Sequence, residues 1–187
     1  MLRTFKEVGI VIKRRNIGEA DRLITVLTQN SGKIKIKAPG VRRILSRRSS
    51  HIEALNLCVL TLYKSTSALF PILTEAVSLE RFSSIKKDLK LIGLSLYLCE
   101  LVSSLCPLNQ ENREVFFLLK NTLFQLTSKS NTVSASELIS YFEKELLSSL
   151  GFWREADLLK SRDPKDVIEG ILERRLKTLR VLPLFIS

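Results

Sequence analysis

The hydrophobic period of this chain changes once, near residue 80, and that change constrains the fold more than any single motif. Up to that point the apolar segments are short, rich in β-branched residues and separated by turn chemistry such as NIGEAD and QNSGK. They are EVGIVIKRR (7–15), RLITVLTQ (22–29), KIKIKA (33–38), LNLCVLTLY (55–63) and ALFPILTEA (68–76). Five strands in so short a stretch fit a small barrel. After Arg81 apolar residues recur at threes and fours, first in IKKDLKLIGLSLYLCELVSSL, which Pro107 stops, then in NREVFFLLKNTLFQLT. Ser134 and Glu137 in SASELISYFEKELLSSLGF have the spacing of a capping box, and Gly151 stands where that helix should end. Asp163 and Pro164 in DPKDVIEGILERRLKTL are the N-cap and first-turn residues of a last helix. The expected fold class is α+β: a five-stranded barrel domain over residues 1–80 and an all-helical domain over 81–187. With no repeat and no low-complexity linker, the two are expected to pack together.

Charge is distributed along the same division. The 187 residues carry 30 Lys plus Arg against 19 Asp plus Glu, a net +11. Residues 1–80 hold 14 basic and 6 acidic side chains, the remainder 16 and 13. Such an excess calls for a polyanionic partner, either nucleic acid or an anionic membrane surface. It is densest in KIKIKAPGVRRILSRRSS (33–50), with seven basic residues and no acid. Strand alternation there sends Lys33, Lys35 and Lys37 to one face and Ile34, Ile36 and Ala38 to the other, and a one-residue slip would bury three lysines. Arg42, Arg43, Arg47 and Arg48 follow in a loop with Gly40 and three serines. Arg14, Arg15 and Arg22, with Lys13 beside them, extend the strip from the first two strands. A face charged only for solubility normally mixes signs, so a run of one sign favours contact with a phosphate backbone. Five-stranded barrels of this size are the frame of the oligonucleotide-binding fold. Phe5, Tyr63 and Phe70 are the only aromatics before residue 80 and read as core, so binding is expected to lean on phosphates, depend steeply on salt and read little sequence.

Catalytic chemistry finds little support. His51 is the single histidine, the seven glycines form no phosphate-binding loop, and Glu19 and Asp21 read as turn carboxylates beside Arg22. No enzyme activity and no cofactor is expected. Cys58, Cys99 and Cys106 lie in apolar segments without metal-ligand spacing, as buried thiols of a reducing compartment do. No apolar run is long enough for a bilayer and the start lacks signal-peptide features, so a cytoplasmic, nucleoid-associated protein is expected, with no membrane partner. Arg174, Arg175, Lys177 and Arg180 end the last helix, where they either complement its dipole or form a second nucleic-acid patch. Trp153 reads as an anchor between domains or in the core. From the residues alone, an RNA-binding barrel protein and an adaptor docking the acidic tail of a partner protein remain open beside a DNA-binding role.

Residues 18–47 resemble the RecO family of bacterial recombination mediators. The likeness is carried by Gly18, Glu19, Asp21, Arg22 and Leu23, by Thr25 and Thr28, by Gly32 and Lys33, and by Gly40, Arg42, Arg43, Ser46 and Arg47. It continues at YFEKELLSSLGFWREADL and ILERRLKTLRVL and is weakest between 105 and 135. Two positions depart from the pattern. LKSRDPKDVIEGI replaces the four-cysteine zinc knuckle that many members carry, so zinc is not expected, and Pro39 replaces a common basic residue. The resemblance implies an N-terminal oligonucleotide-binding domain, a helical C-terminal domain, and a non-catalytic protein that binds single- and double-stranded DNA. It further implies strand annealing, and loading of RecA together with RecR and the C-terminal tail of single-strand-binding protein.

Overall fold

A computed structural model describes residues 3–128, 134–153 and 163–172. Five strands, β1 (Arg3–Ile17), β2 (Asp21–Thr28), β3 (Gly32–Ala38), β4 (Leu57–Lys64) and β5 (Ile72–Glu80), close into a barrel in the order β1-β2-β3-β5-β4. All neighbours are antiparallel except β3 and β5, which meet in parallel at Lys37 and Ile72. At 15 residues β1 is long enough to serve two partners, β4 from Arg3 to Ile10 and β2 from Gly9 to Ile17. Where both pairings meet, Gly9 leaves room for the Val26 side chain: a Cβ on it would lie 2.5 Å from Val26 Cγ1 and 3.0 Å from the Leu27 carbonyl oxygen. The barrel is filled by Val11, Ile24, Val26, Ile34, Ile36, Leu60, Leu62 and Leu73, with Phe5 packed against them. These are the alternate, inward positions of the strands, which is how a period of two becomes a core.

β1 carries a bulge. Val11 pairs with Val26 but Lys13, not Ile12, pairs with Thr25. One extra residue reverses the in-out phase of everything after it. Before the bulge the odd positions Phe5, Gly9 and Val11 face inward; after it the odd positions Lys13 and Arg15 face outward.

The fifth strand lies four residues later than its expected start. Leu69 is 80% exposed, and Pro71, which has no N–H to donate, ends the connection by offering its carbonyl to the Lys37 amide at 2.9 Å. Residues 107–116 group with the barrel rather than with the other helical residues. They run beside the start of β3: the Asn109 amide donates to the Lys33 carbonyl at 2.8 Å, and Arg113 Nη2 donates to Asn30 Oδ1 at 2.8 Å.

The helices are α1 (Ser83–Lys87), α2 (Leu89–Leu105), α3 (Arg113–Thr127), α4 (Ala135–Ser149) and α5 (Pro164–Leu172). The first helical stretch is thus broken at Asp88, whose extended backbone closes α1 and whose Oδ1 caps α2 by accepting from the Lys90 and Leu91 amides. Cys106 is extended, as the residue before Pro107 must be, and α2 stops there. The capping box of Ser134 and Glu137 is formed, and Gly151 follows α4 at φ 75°. In the helical unit Tyr97 of α2 donates to Glu143 of α4 at 2.5 Å, and Phe82 meets Phe124 edge to face with centroids 5.1 Å apart. No described helix is long and apolar enough to cross a membrane.

Candidate nucleic-acid interface

The outward rows of β1, β2 and β3 bring the basic residues together. Directly paired residues of an antiparallel sheet lie on one face, and here two such rows run across three strands. Lys13 pairs with Thr25 and Thr25 with Lys35; Arg15 pairs with Leu23 and Leu23 with Lys37. Lys13, Arg15 and Lys37 are exposed and Lys35 half-buried. The Lys35 ammonium sits 6.0 Å from the centroid of the Phe70 ring, so an aromatic expected in the core stands at the edge of the basic face.

Lys33 belongs to the same alternation but not to the open face. It is only 7% exposed, at the end of β3 that residues 107–116 cross. Of the three lysines on that strand face, burial withdraws this one from contact with a backbone in solvent.

Arg14 and Arg22 are also set apart, for a reason of register. Arg14 pairs with Ile24 and Arg22 with Ala38, in the inward rows at one end of the barrel. There Glu53 holds both: Arg14 Nη1 pairs with its Oε2, and Arg22 Nη1 lies 3.3 Å from its Oε1. Arg15 alone of these three helpers lies in the outward rows.

The loop after β3 is pinned at its base. Gly40, at φ 66°, directs its amide to Asp21 Oδ1 at 2.9 Å, a left-handed conformation that a side chain disfavours. Asp21 Oδ2 pairs with Lys37 Nζ at 3.4 Å. The Gly40 amide and the Lys37 and Arg43 cations together hold the Asp21 carboxyl below the usual carboxylate range, against partial desolvation. The Arg42 amide donates to the Ala20 carbonyl at 2.9 Å and its Nη1 to the Gly18 carbonyl at 3.0 Å. Arg48 closes the far side, with Nη1 donating to the Leu73 carbonyl at 2.6 Å and Nη2 to the Pro39 carbonyl at 2.8 Å. The Arg43 and Arg47 side chains are exposed and make no hydrogen bond or ion pair among the described residues. Between loop and β1–β2 turn lies an open groove of about 1200 Å³ lined by Glu19, Asp21, Arg42, Arg43 and Arg47.

Two features were not legible as structure in the sequence. Asp21 reads as a turn carboxylate but anchors the loop, and Arg48 reads as a phosphate ligand but serves as a backbone clamp. The Asp21-to-Gly40 separation of 19 residues carries no local signal. His51 is likewise structural. Its Nδ1 accepts from the Ser78 amide at 3.0 Å, which places the proton of the neutral ring on Nε2. All three cysteines are buried, and burial pushes the Cys99 thiol up to about 12. Among the described residues no three His, Cys, Asp or Glu side chains converge as a metal site. The basic C-terminal cluster from Arg174 to Arg180 lies outside the described residues.

A closed barrel with strand order 1-2-3-5-4 and a cationic outer face defines a protein of the oligonucleotide-binding fold. Family comparison agrees. Residues 1–81 match the model of the recombination protein O N terminal and residues 86–154 that of the recombination protein O C terminal. The chain belongs to the RecO family.

Among its relatives, each named DNA repair protein RecO, that of Roseiflexus sp. (strain RS-1) is 35% identical over 151 residues, covering 80% of this chain and 51% of the relative. That of Dehalococcoides mccartyi (strain 195) is 31% identical over 148 residues, covering 79% and 56%. That of Caldicellulosiruptor bescii is 31% identical over 166 residues, covering 89% and 66%. The chain therefore spans between half and two thirds of the length of these relatives.

Proposed function

We propose that this chain is a non-catalytic mediator of DNA repair and homologous recombination. It binds single- and double-stranded DNA through the outward face of β1–β3 and the arginine loop, and it anneals complementary strands. With RecR and the C-terminal tail of single-strand-binding protein, it helps to load RecA. The observation that carries this role is the continuity of the rows Lys13–Thr25–Lys35 and Arg15–Leu23–Lys37 with the unpaired Arg43 and Arg47. The shared name of the relatives supports the same biological setting.

The physics suits annealing. Two strands approaching one another repel through their phosphates, and a cationic face that takes up part of each backbone lowers that repulsion without reading a base. No covalent bond is made or broken, so no catalytic group is required. Lys13, Arg15, Lys35, Lys37, Arg42, Arg43 and Arg47 are assigned to phosphates. Lys33, Arg14, Arg22 and Arg48 are assigned to holding the barrel and loop.

The test is titration of a short single-stranded DNA at several salt concentrations. The wild-type affinity should fall linearly with salt on logarithmic axes, and the R42Q/R43Q/R47Q variant should bind weakly with a slope shallower by about two. A triple variant with wild-type affinity and slope refutes the assignment. Annealing of complementary strands at physiological salt, with and without single-strand-binding protein, should be accelerated by the wild type and not by the variant.

A further inference from the structure

The tip of the arginine loop is a hydrogen-bonded turn with an unusual apex. The Ser46 amide donates to the Arg43 carbonyl at 2.9 Å, which makes Ile44 and Leu45 the two central residues of a four-residue turn. Those positions ordinarily go to Gly, Pro, Asn, Asp or Ser. Here two branched aliphatics stand 101% and 92% exposed, more than any other large apolar side chain of the described residues. An isolated exposed Leu is unremarkable, but two adjacent ones at the apex of a turn form a protruding apolar point. The turn is not loose, because its base is held by the Gly40–Asp21 bond on one side and the Arg48 clamp on the other.

Its surroundings select the partner. Arg43 and Arg47 flank the apex with their side chains in no ion pair, and of the two carboxylates that line the adjoining groove, Glu19 and Asp21, the latter is engaged by Gly40 and Lys37. A purely apolar partner would meet uncompensated positive charge, and a simple polyanion would leave the apex in water. A nucleic-acid strand offers both halves at the required spacing, phosphates outside and apolar base faces within.

We propose that Ile44 and Leu45 form a wedge that inserts against the base stack of a bound single strand while the flanking arginines hold its backbone. This inference rests on the DNA-binding role proposed above and adds to it a contact that depends on bases rather than on phosphates. A strand unstacked at the wedge has its bases free to meet a complement, so the wedge would favour annealing as well as binding.

The test uses the Ile44→Ser/Leu45→Ser variant, whose changed side chains lie in solvent, with two oligonucleotides of equal length, one carrying bases and one abasic. The base-carrying strand holds a central 2-aminopurine. Burial of part of two aliphatic side chains predicts about a tenfold weaker affinity of the variant for the base-carrying strand. Its salt slope should be unchanged and its affinity for the abasic strand equal to that of the wild type. The wild type should brighten 2-aminopurine on binding and the variant should not. Equal affinity of wild type and variant for the base-carrying strand overturns the wedge, as does an equal loss on both strands. So does loss confined to an acidic, apolar peptide, which would mark the apex as a protein-docking point. In each case a steep salt slope of the wild type leaves the phosphate contacts standing. A wild type that binds neither strand removes both proposals.

Discussion

Asp21 shows how much of the candidate interface hangs on one carboxylate. Its two oxygens serve two elements, Oδ1 the loop through the Gly40 amide and Oδ2 the strand through Lys37. Because its pKa is depressed in the fold, its contribution is complete above the unfolded value of about 3.9 and is lost as pH falls through the lower, folded value. The Gly40 amide resonance should therefore titrate below pH about 4 in the wild type and stay flat in Asp21→Ala, whose Gly40 amide should exchange faster at every pH. A wild-type Gly40 resonance that does not move with acid removes the bond. At the same scale the arginines of the loop divide by what they already hold. Arg48→Gln breaks two bonds to backbone carbonyls and should lower the melting temperature, whereas Arg47→Gln should leave it unchanged and reduce the salt slope of DNA binding by about one. The reverse pattern in paired melting and binding data would exchange their roles.

Among elements, β1 decides the most. Its strand character is plain in the short β-branched run VGIVIKRR, yet the bulge at Ile12 is not, because a bulge is fixed by what the neighbouring strand requires and not by the residues inserted. Without it Lys13 and Arg15 would occupy the inward phase and Arg14 the outward one. The close approach at Gly9 belongs to the same strand. Gly9→Ala places a methyl group 2.5 Å from Val26 Cγ1 and 3.0 Å from the Leu27 carbonyl oxygen, and should cost about 1–3 kcal/mol in urea unfolding of the full chain. A cost near zero would mean that β1 and β2 separate freely at that point. The other strands and most helices were legible from period, caps and Pro107. β5 was not placed correctly, since Leu69 and Phe70 extend the apolar run on the wrong side of Pro71 while the closing partner, Lys37 of β3, lies far away in sequence. The break at Asp88 was missed for a related reason: IKKDLK keeps a helical period whether or not its aspartate caps a second helix.

At the scale of the whole molecule, each of the two compact units has a buried apolar interior, and the helical one also encloses a carboxylate. The helical unit buries Glu143, which accepts from Tyr97 through Oε1 while Oε2 has no partner among the described residues. Burial, outweighing the Tyr97 hydroxyl and the Lys165 cation, raises the Glu143 pKa above its usual range. Between the unfolded value of about 4.3 and the higher folded one, the native state binds the extra proton, so stability falls as pH rises through that window. Glu143→Gln should flatten this dependence in melting temperatures measured from pH 4 to 8; an unchanged slope would mean that Glu143 ionises in place without cost.

Alternation in KIKIKA, the single sign of charge from residue 22 to 52 and the change of period near residue 80 were enough to specify a basic barrel followed by helices, because each rests on neighbours in sequence. Which cations share the open face was decided only by tertiary structure. A bulge turns Lys13 and Arg15 outward, Glu53 captures Arg14 and Arg22, residues 107–116 run beside the buried Lys33, and Asp21 with Arg48 raises Ile44 and Leu45 into solvent. Each of these depends on groups distant in the chain or on a strand partner, and the field of a charge depends on where folding leaves it.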